Sequence, residues 1–447
     1  MNSHTQKTVD FIHGLSFDHI EGKRAALSIR ALTDTLGVAV GGSTTDLSRI
    51  IRSHAVGHFA AGPATKPAHL FCDGRPVSAA GAALANGMTI DALDAHDGLK
   101  PTKGHVGCGV VASLMALAEA NGVTSGHDLL TALVVGYEVG SRAGIALHAT
   151  VSDYHTSGAW IALGAAAMGA RLMGLASEQT LEALGIEEYH GPRSQMMRCI
   201  DHPTMVKDGS GWGAMAGVSG AYLARDGFTG APAISLTEPE VRPMWDDIGN
   251  RWYIAEQYIK LYPVCRWAQP AVEAALALKR KHAIVASSIA RIDVTTFAEA
   301  ARLTARHPAT TEEAQYSLPF PLAAALVYDT VGAKDVAQEG LTDPVTRPLR
   351  DLIHMRTAER YDAEFPARRF ADVAITLKDG TVLKSAPTEA IGDPEDAVDK
   401  ATIDAKFHSL AKPVLGAERA AILHAAIEAI EHDGDFSHLI SALSEPV

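Results

Sequence analysis

Residues 157–175 read SGAWIALGAAAMGARLMGL. From Ala159 to Leu175 this is the most apolar stretch of the chain, yet it is rich in Ala and Gly and carries Arg171. A membrane span needs about 20 predominantly apolar residues without a charge, so the stretch predicts a buried helix. Residues 211–224 have the same small-residue make-up. Small side chains let helix backbones approach closely, so the two segments together predict a tightly packed helical domain.

Reading outward, helices follow one another from Glu21 to about Gly230. Ile29, Leu32 and Leu36 recur at helical spacing until Gly41-Gly42 stops them. Ser78 is placed to cap a helix through Ala79–Ala83. Cys108–Ala120 forms an apolar helix ended by Asn121-Gly122, and Asp128–Leu147 another, with Leu129, Leu130, Leu133 and Val134 on its apolar side. The character changes after Pro263. Ile292 and Val294 alternate with polar residues, as do Ile353 and Met355, and Val373, Ile375 and Leu377. Asp379-Gly380 between Leu377 and Thr381-Val382-Leu383 predicts a β-hairpin, because Asp-Gly supplies the positive φ angles of a tight turn. Helical stretches lie between, around 271–279 and 317–330. The tail, 417–430, is helical again, with Ile422, Leu423, Ile427 and Ile430 along one side. The expected fold class is mainly α: a large all-helical domain over residues 1–265, completed by 405–447, and a smaller α+β lid domain over 266–404.

The bulk numbers agree with this. A chain of 447 residues exceeds the usual limit of one core. Hydrophobic residues make up 47% and charged residues 20%, which excludes general disorder. A net charge of −13 disfavours nucleic acid and anionic membranes as partners. Cys72, Cys108, Cys199 and Cys265 form no Cys-x-x-Cys pair, so neither a zinc ribbon nor a thioredoxin-like centre is expected. Scattered cysteines and a start, MNSHTQKTVDFIHG, without a basic-then-apolar pattern point to the cytoplasm.

Five clusters carry chemistry. Residues 94–105, Asp-Ala-His-Asp-Gly-Leu-Lys-Pro-Thr-Lys-Gly-His, pack acids, histidines and lysines between two apolar helices, where one loop can aim several titratable groups at a pocket. His155-Thr156-Ser157 precedes the small-residue helix: Thr156 or Ser157 is a candidate cap and His155 a candidate base. Lys207 enters a helix with Asp208-Gly209 behind it, a candidate carboxylate binder or base. Lys260–Pro270 falls at the expected domain junction, where Arg266 can grip a carboxylate with two N–H groups. Glu313–Phe320 offers Ser317 as a cap, with Tyr316 and Phe320 as core. Neither a His-Glu-x-x-His motif nor a phosphate-cradling glycine loop occurs, so no metal and no nucleotide cofactor are expected.

Taken in order, these features resemble the MmgE/PrpD family over nearly the whole chain. The resemblance rests on Asp34–Ser43, Ala83–Gly87, the Asp94 loop, Gly136–Val139, Gly227–Gly230 and Lys406-Phe407. The family includes 2-methylcitrate dehydratases, cis-aconitate decarboxylases and iminodisuccinate epimerases. It implies a helical domain plus a lid, no organic cofactor, a homodimer, and a small polycarboxylate substrate bound between the domains. By resemblance, the catalytic positions are Asp94, His105, His155 and Lys207; His96, Lys103, Arg266 and Gln269 are the expected substrate contacts. The chain departs in the loop, which reads Asp94-Ala95-His96-Asp97-Gly98 where the family commonly has Asp-Phe-Asp-Asp-Thr, and at three further positions: Cys265 stands where the decarboxylases carry a further histidine, Phe320 where they carry a tyrosine, and Gln269 where many relatives carry histidine. Dehydration and decarboxylation need a proton donor, whereas epimerisation needs one base on each side of a C–H bond. The leading expectation is therefore an isomerase, an epimerase of an iminodisuccinate-like dicarboxylate. Dehydratase or decarboxylase activity and a non-catalytic carboxylate binder are the alternatives.

Overall fold

The computed structural model describes residues 3–63 and 66–447. Most of the chain is helical, and the β-structure is concentrated in one small sheet near the C-terminal end. The Gly126–Thr150, Gly158–Leu172 and Ser210–Arg225 helices form the centre of the helical part, flanked by Ala79–Asp91 and Gly107–Asn121. Their glycines explain the small-residue stretches. A methyl built on Gly164 would come within 2.5 Å of the Gly136 carbonyl oxygen, and one on Gly213 would collide with the Gly158 carbonyl. Backbone rests on backbone, and no larger residue fits. Gly126–Thr150 is long and apolar enough to cross a membrane, but 94% of its apolar window is buried inside the protein.

The hydrophobic side chains sort into two large cores. One runs from Ile12 to Ile254 and resumes from Phe407 to Leu443. The other gathers Cys265–Ile375, together with Cys199 and Ile200 from the short Met196–Asp201 helix. A smaller cluster from Tyr262 to Leu341 lies beside it. The second core is built on a four-stranded sheet in the order Ile353–Thr357, Ile289–Thr296, Ala371–Leu377, Val382–Lys384. The first pair is parallel and the other two antiparallel. The Gln269–His282 helix covers the sheet. Thr376 pairs with Val382 across the Asp379-Gly380 turn, where Gly380 takes a φ of 89°. Ser78 caps Ala79–Asp91 as expected, its hydroxyl accepting from the Gly81 amide.

Two details differ from the sequence reading. The helical part is not all-helical: Ala68–His69 and Pro76–Val77 form a two-stranded ribbon. The Asn86 side chain holds this segment extended by bonding the His69 carbonyl and the Phe71 amide. The C-terminal helix begins at Lys400 rather than 417. Pro413 and Gly416 break its pattern in sequence, yet the chain passes through a kink at Gly416 and stays helical on either side.

That helix is anchored by one buried contact. Lys406 Nζ lies 2.5 Å from Asp34 Oδ1 and 2.6 Å from the Ala95 carbonyl. Phe407 fills the space left by Gly37. Removing one partner of a buried ion pair strands the other, at a cost of about 3–5 kcal/mol. Lys406→Met is expected to destabilise the protein by that order in chemical unfolding, and adding Asp34→Asn should return part of the loss.

Candidate active site

The loop after the Ala79–Asp91 helix is pinned on two sides. Gly98 exchanges two backbone hydrogen bonds with Tyr258, of 2.8 and 3.1 Å, and Leu99 N donates to Gly104 O at 2.8 Å. Asp97 accepts from the Tyr137 hydroxyl at 2.6 Å and the Gly107 amide at 2.9 Å. The Tyr258 pairing carries Lys260 to Asp94, 2.7 Å away and 166 positions earlier in the chain. Both side chains are buried.

These contacts converge on a cavity between the two cores. It is lined by Asp94, Lys103, His105, Met196, Ile200, Asp208, Tyr258, Cys265, Arg266, Trp267 and Tyr316. The space open to water centres is about 20 Å³, room for roughly one water. That space is too small for a polycarboxylate in this conformation. Strain gathers here as well. Among the described residues seven non-glycines take positive φ, and three of them are Asp94 (51°), Lys103 (55°) and Lys207 (48°). Such backbone persists only where its surroundings hold it, and it concentrates at functional sites.

The electrostatics separate the two carboxyls that face His105. Burial alone would raise the Asp94 carboxyl, but Lys260, then Lys207, His105 and His96, outweigh it and hold it below its usual range. Asp208 has the opposite fate. Burial first, then the Asp91 and Asp94 carboxylates, push it up to about 7. Its one hydrogen bond to a side chain among the described residues comes from the Ser157 hydroxyl, at 3.1 Å. His105 stands between them, with Nε2 3.8 Å from Asp94 Oδ1 and 3.5 Å from Asp208 Oδ2. Its Nδ1 lies 2.6 Å from the Asp97 carbonyl. That contact fits an Nδ1–H donor and leaves Nε2 free to accept a proton. Burial first, then Lys260 and His96, push its pKa well down, so the ring is neutral near pH 7. The site thus joins an ionised carboxylate, a neutral imidazole and a carboxyl that holds its proton to neutrality.

The other residues named from sequence fall in different places. Lys207 is buried behind the wall: its ammonium donates to Gln315 and lies 4.7 Å from the Tyr316 ring centre. His96 is buried beneath His105, ring centres 4.5 Å apart, with Nε2 3.2 Å from Asp91. Asp91, Asp94 and His96 bring potential metal ligands within 4.8 Å of one another, but the Lys260 ammonium already takes the position of the cation on Asp94. Arg266 lines the cavity with its guanidinium engaged by Asp393 at 2.6 Å, the Ala390 and Ile391 carbonyls and Gln269. Gln269 spends its amide on Arg266 and on the Tyr262 and Val264 carbonyls, so it holds this joint rather than facing a ligand. His155 does not reach the cavity. It is half-exposed, with Nδ1 3.1 Å from the Asp153 carbonyl and its ring stacked on His148. Ser157 does not cap its helix, because its hydroxyl accepts from the His105 amide at 2.9 Å and donates to Asp208. Phe320 lies under Arg350, away from the cavity, and Tyr316, read from sequence as core, lines it. Asp208, Lys260, Tyr258 and Tyr316 were all within quoted clusters or beside them, but nothing local marked them, since their partners lie far away in the chain.

Two family models match the chain: the MmgE/PrpD N-terminal domain over residues 6–240 and the MmgE/PrpD C-terminal domain over 262–432. The chain belongs to the MmgE/PrpD family. It is similar to the cis-aconitate decarboxylase of Homo sapiens, 25% identical with 100% of this chain and 95% of that protein covered. A cis-aconitate decarboxylase-like protein of Aspergillus oryzae is 25% identical over 81% of this chain and 82% of its own length. The cis-aconitate decarboxylase of Aspergillus terreus is 22% identical over 84% and 83%. These MmgE/PrpD relatives carry lyase names, and none of them carries an epimerase name.

The raised Asp208 carboxyl makes a stability prediction. A group whose folded pKa exceeds its ordinary value of 3.8 adds stability below that value and loses it as pH rises through the folded pKa, about 7. Asp208→Asn, which keeps the Ser157 contact, is expected to melt above the wild type at pH 8. The gap should narrow as pH falls, and the two should be nearly equal in thermal melts only near the ordinary value of 3.8.

Proposed function

We propose that the protein is a cofactor-independent lyase acting on a small polycarboxylate, with decarboxylation of an unsaturated tricarboxylate such as cis-aconitate as the first candidate and dehydration as the second. The observation that carries this reading is the buried Asp208 carboxyl, its pKa raised to about 7, set 3.5 Å from His105 in the cavity between the two cores. The expectation of an epimerase rested on missing acids at Cys265 and Phe320. Asp208 and Tyr316, both lining the cavity, supply acids that make up for them. The two-base arrangement also loses support, because His155 stands outside the cavity.

The chemistry then follows. Loss of carbon dioxide from a carbon next to a C=C bond sends the breaking bond's electron pair through the double bond. The pair arrives at a carbon bearing another carboxylate, and one proton must be delivered there. Asp208 gives that proton, and His105 is placed to return one to it. Lys207, behind the wall, offsets the negative charge that builds on the carboxylate. In dehydration the same pair works in reverse order: His105 takes the proton beside the carboxylate and Asp208 protonates the departing hydroxyl. Epimerisation of an iminodisuccinate-like dicarboxylate stays as a second reading, favoured by Cys265 at the position where the decarboxylases carry histidine. The homodimer belongs to the same proposal; Met205, Val206 and Trp212 are exposed apolar side chains that a second copy would cover.

Turnover of cis-aconitate, 2-methylcitrate and iminodisuccinate in deuterated water, followed by proton NMR, separates the readings. Carbon dioxide release or a new alkene is expected. Asp208→Asn and His105→Ala should each lower kcat by about 100- to 10,000-fold, and His155→Ala by less than about tenfold. Because Asp208 must be protonated to donate, kcat should fall as pH rises through about 7, and Asp208→Asn should remove that limb. Deuterium entering iminodisuccinate with no alkene would return the epimerase; binding without any turnover would make the protein a carboxylate binder.

A further inference from the structure

Among the described residues, Arg369 is a buried cation without a carboxylate partner. Arg369 lies just before the Ala371–Leu377 strand and is 5% exposed; its guanidinium meets the Tyr258 hydroxyl, but its Nε and Nη2 are buried with no hydrogen-bond partner. Its neighbour Arg368 shows the ordinary arrangement: an exposed guanidinium held by Glu389. Arg369 has no carboxylate within 4.0 Å among the described residues, and neither does Lys103. Burying a charge without a partner is among the costliest arrangements in a protein, and it survives where a ligand supplies the partner.

Its surroundings say which ligand. The guanidinium lies 5.6 Å from the ring centre of Tyr258, which lines the cavity. Lys103, also in the cavity wall, lies over the Tyr154 ring at 3.9 Å. Its pKa is lowered to about 8 by burial first and then by the charge of Arg369, against a smaller opposing pull from Glu299. Two cations therefore press on each other at the edge of the cavity, with half-buried Glu299 as the acid acting on Lys103. Arg266, in contrast, is already neutralised by Asp393. The planar fork of a guanidinium suits the two oxygens of a carboxylate, and a lysine beside it adds a point charge.

We propose that Arg369 and Lys103 form a carboxylate subsite at the lid edge of the cavity, which holds the substrate carboxylate remote from the reacting carbon. The subsite rests on the polycarboxylate reading above and adds the residue that distinguishes a tricarboxylate from smaller acids. A carboxylate bound there would supply the counter-charge that Arg369 lacks among the described residues.

The test uses tricarballylate, a saturated and unreactive tricarboxylate, with calorimetry on the full-length enzyme. Arg369→Met is expected to weaken its binding by about 100-fold, the loss of a two-pronged charged contact, and Lys103→Met by about tenfold. Arg369→Lys should recover part of the affinity. The ligand-free Arg369→Met protein should melt at or above the wild-type temperature, because an unpaired buried charge has gone. Unchanged tricarballylate affinity in Arg369→Met, or a lower melting temperature without ligand, would overturn the subsite and make Arg369 a structural residue. Arg369-dependent binding with no turnover of any substrate keeps the subsite and removes the lyase assignment. Turnover with KM unaltered in Arg369→Met does the reverse, and a wild type that binds no tricarballylate loses both.

Discussion

The buried pair between Asp94 and Lys260 is the contact on which the site depends. A carboxylate taken out of water must be matched, and Lys260 matches it at 2.7 Å. The match fixes three things together. It holds Asp94 in a left-handed backbone conformation, keeps its carboxyl ionised, and ties the loop between two helices to the segment that leads into the second core. With Asp94 ionised, its charge and that of Asp91 weigh on Asp208, which keeps its proton instead. Two carboxyls facing one imidazole thus take different protonation states because one has a lysine and the other has a serine.

The helical packing makes this possible. Gly158 and Gly213 meet backbone to backbone, which brings the start of the Gly158–Leu172 helix against the start of the Ser210–Arg225 helix. Ser157 stands just before the first and Asp208 just before the second, so their hydrogen bond follows from that close approach. The Ser157 hydroxyl also takes the His105 amide, joining a third segment to the same point. Larger residues at these glycines would push the helices apart and separate His105 from Asp208. The small-residue composition is in this sense a condition of the chemistry as well as of the fold.

The second core supplies the opposite wall. Cys265, Arg266, Trp267 and Tyr316 come from its segments, and the Met196–Asp201 helix crosses from the helical part to pack into it. The cavity between the walls is small, about 20 Å³. In the proposed subsite, a carboxylate bound at Arg369 would favour the conformation that holds it.

Much of the fold was legible in the sequence because its causes are local. Helical spacing of Ile29, Leu32 and Leu36, the Ser78 cap and the Asp379-Gly380 turn each act within a few residues, and each appears as read. The small residues of 157–175 marked a packed helix because glycine and alanine leave no other use for so apolar a segment. The loop at 94–105 announced its chemistry by composition, and the structure brings Asp94, Lys103 and His105 into one cavity. What the tertiary structure alone decided was partnership. Whether a lysine is a cation for a carboxylate, a histidine a neutral base or a solvent-facing ring, an aspartate an anion or an acid, depends on burial and on charges brought from 50 to 170 positions away, as with Asp208 and Ser157 (51 apart) and Asp94 and Lys260 (166 apart). Those distances in sequence leave no local trace, because protonation is set by the field of the folded molecule and not by neighbours along the chain.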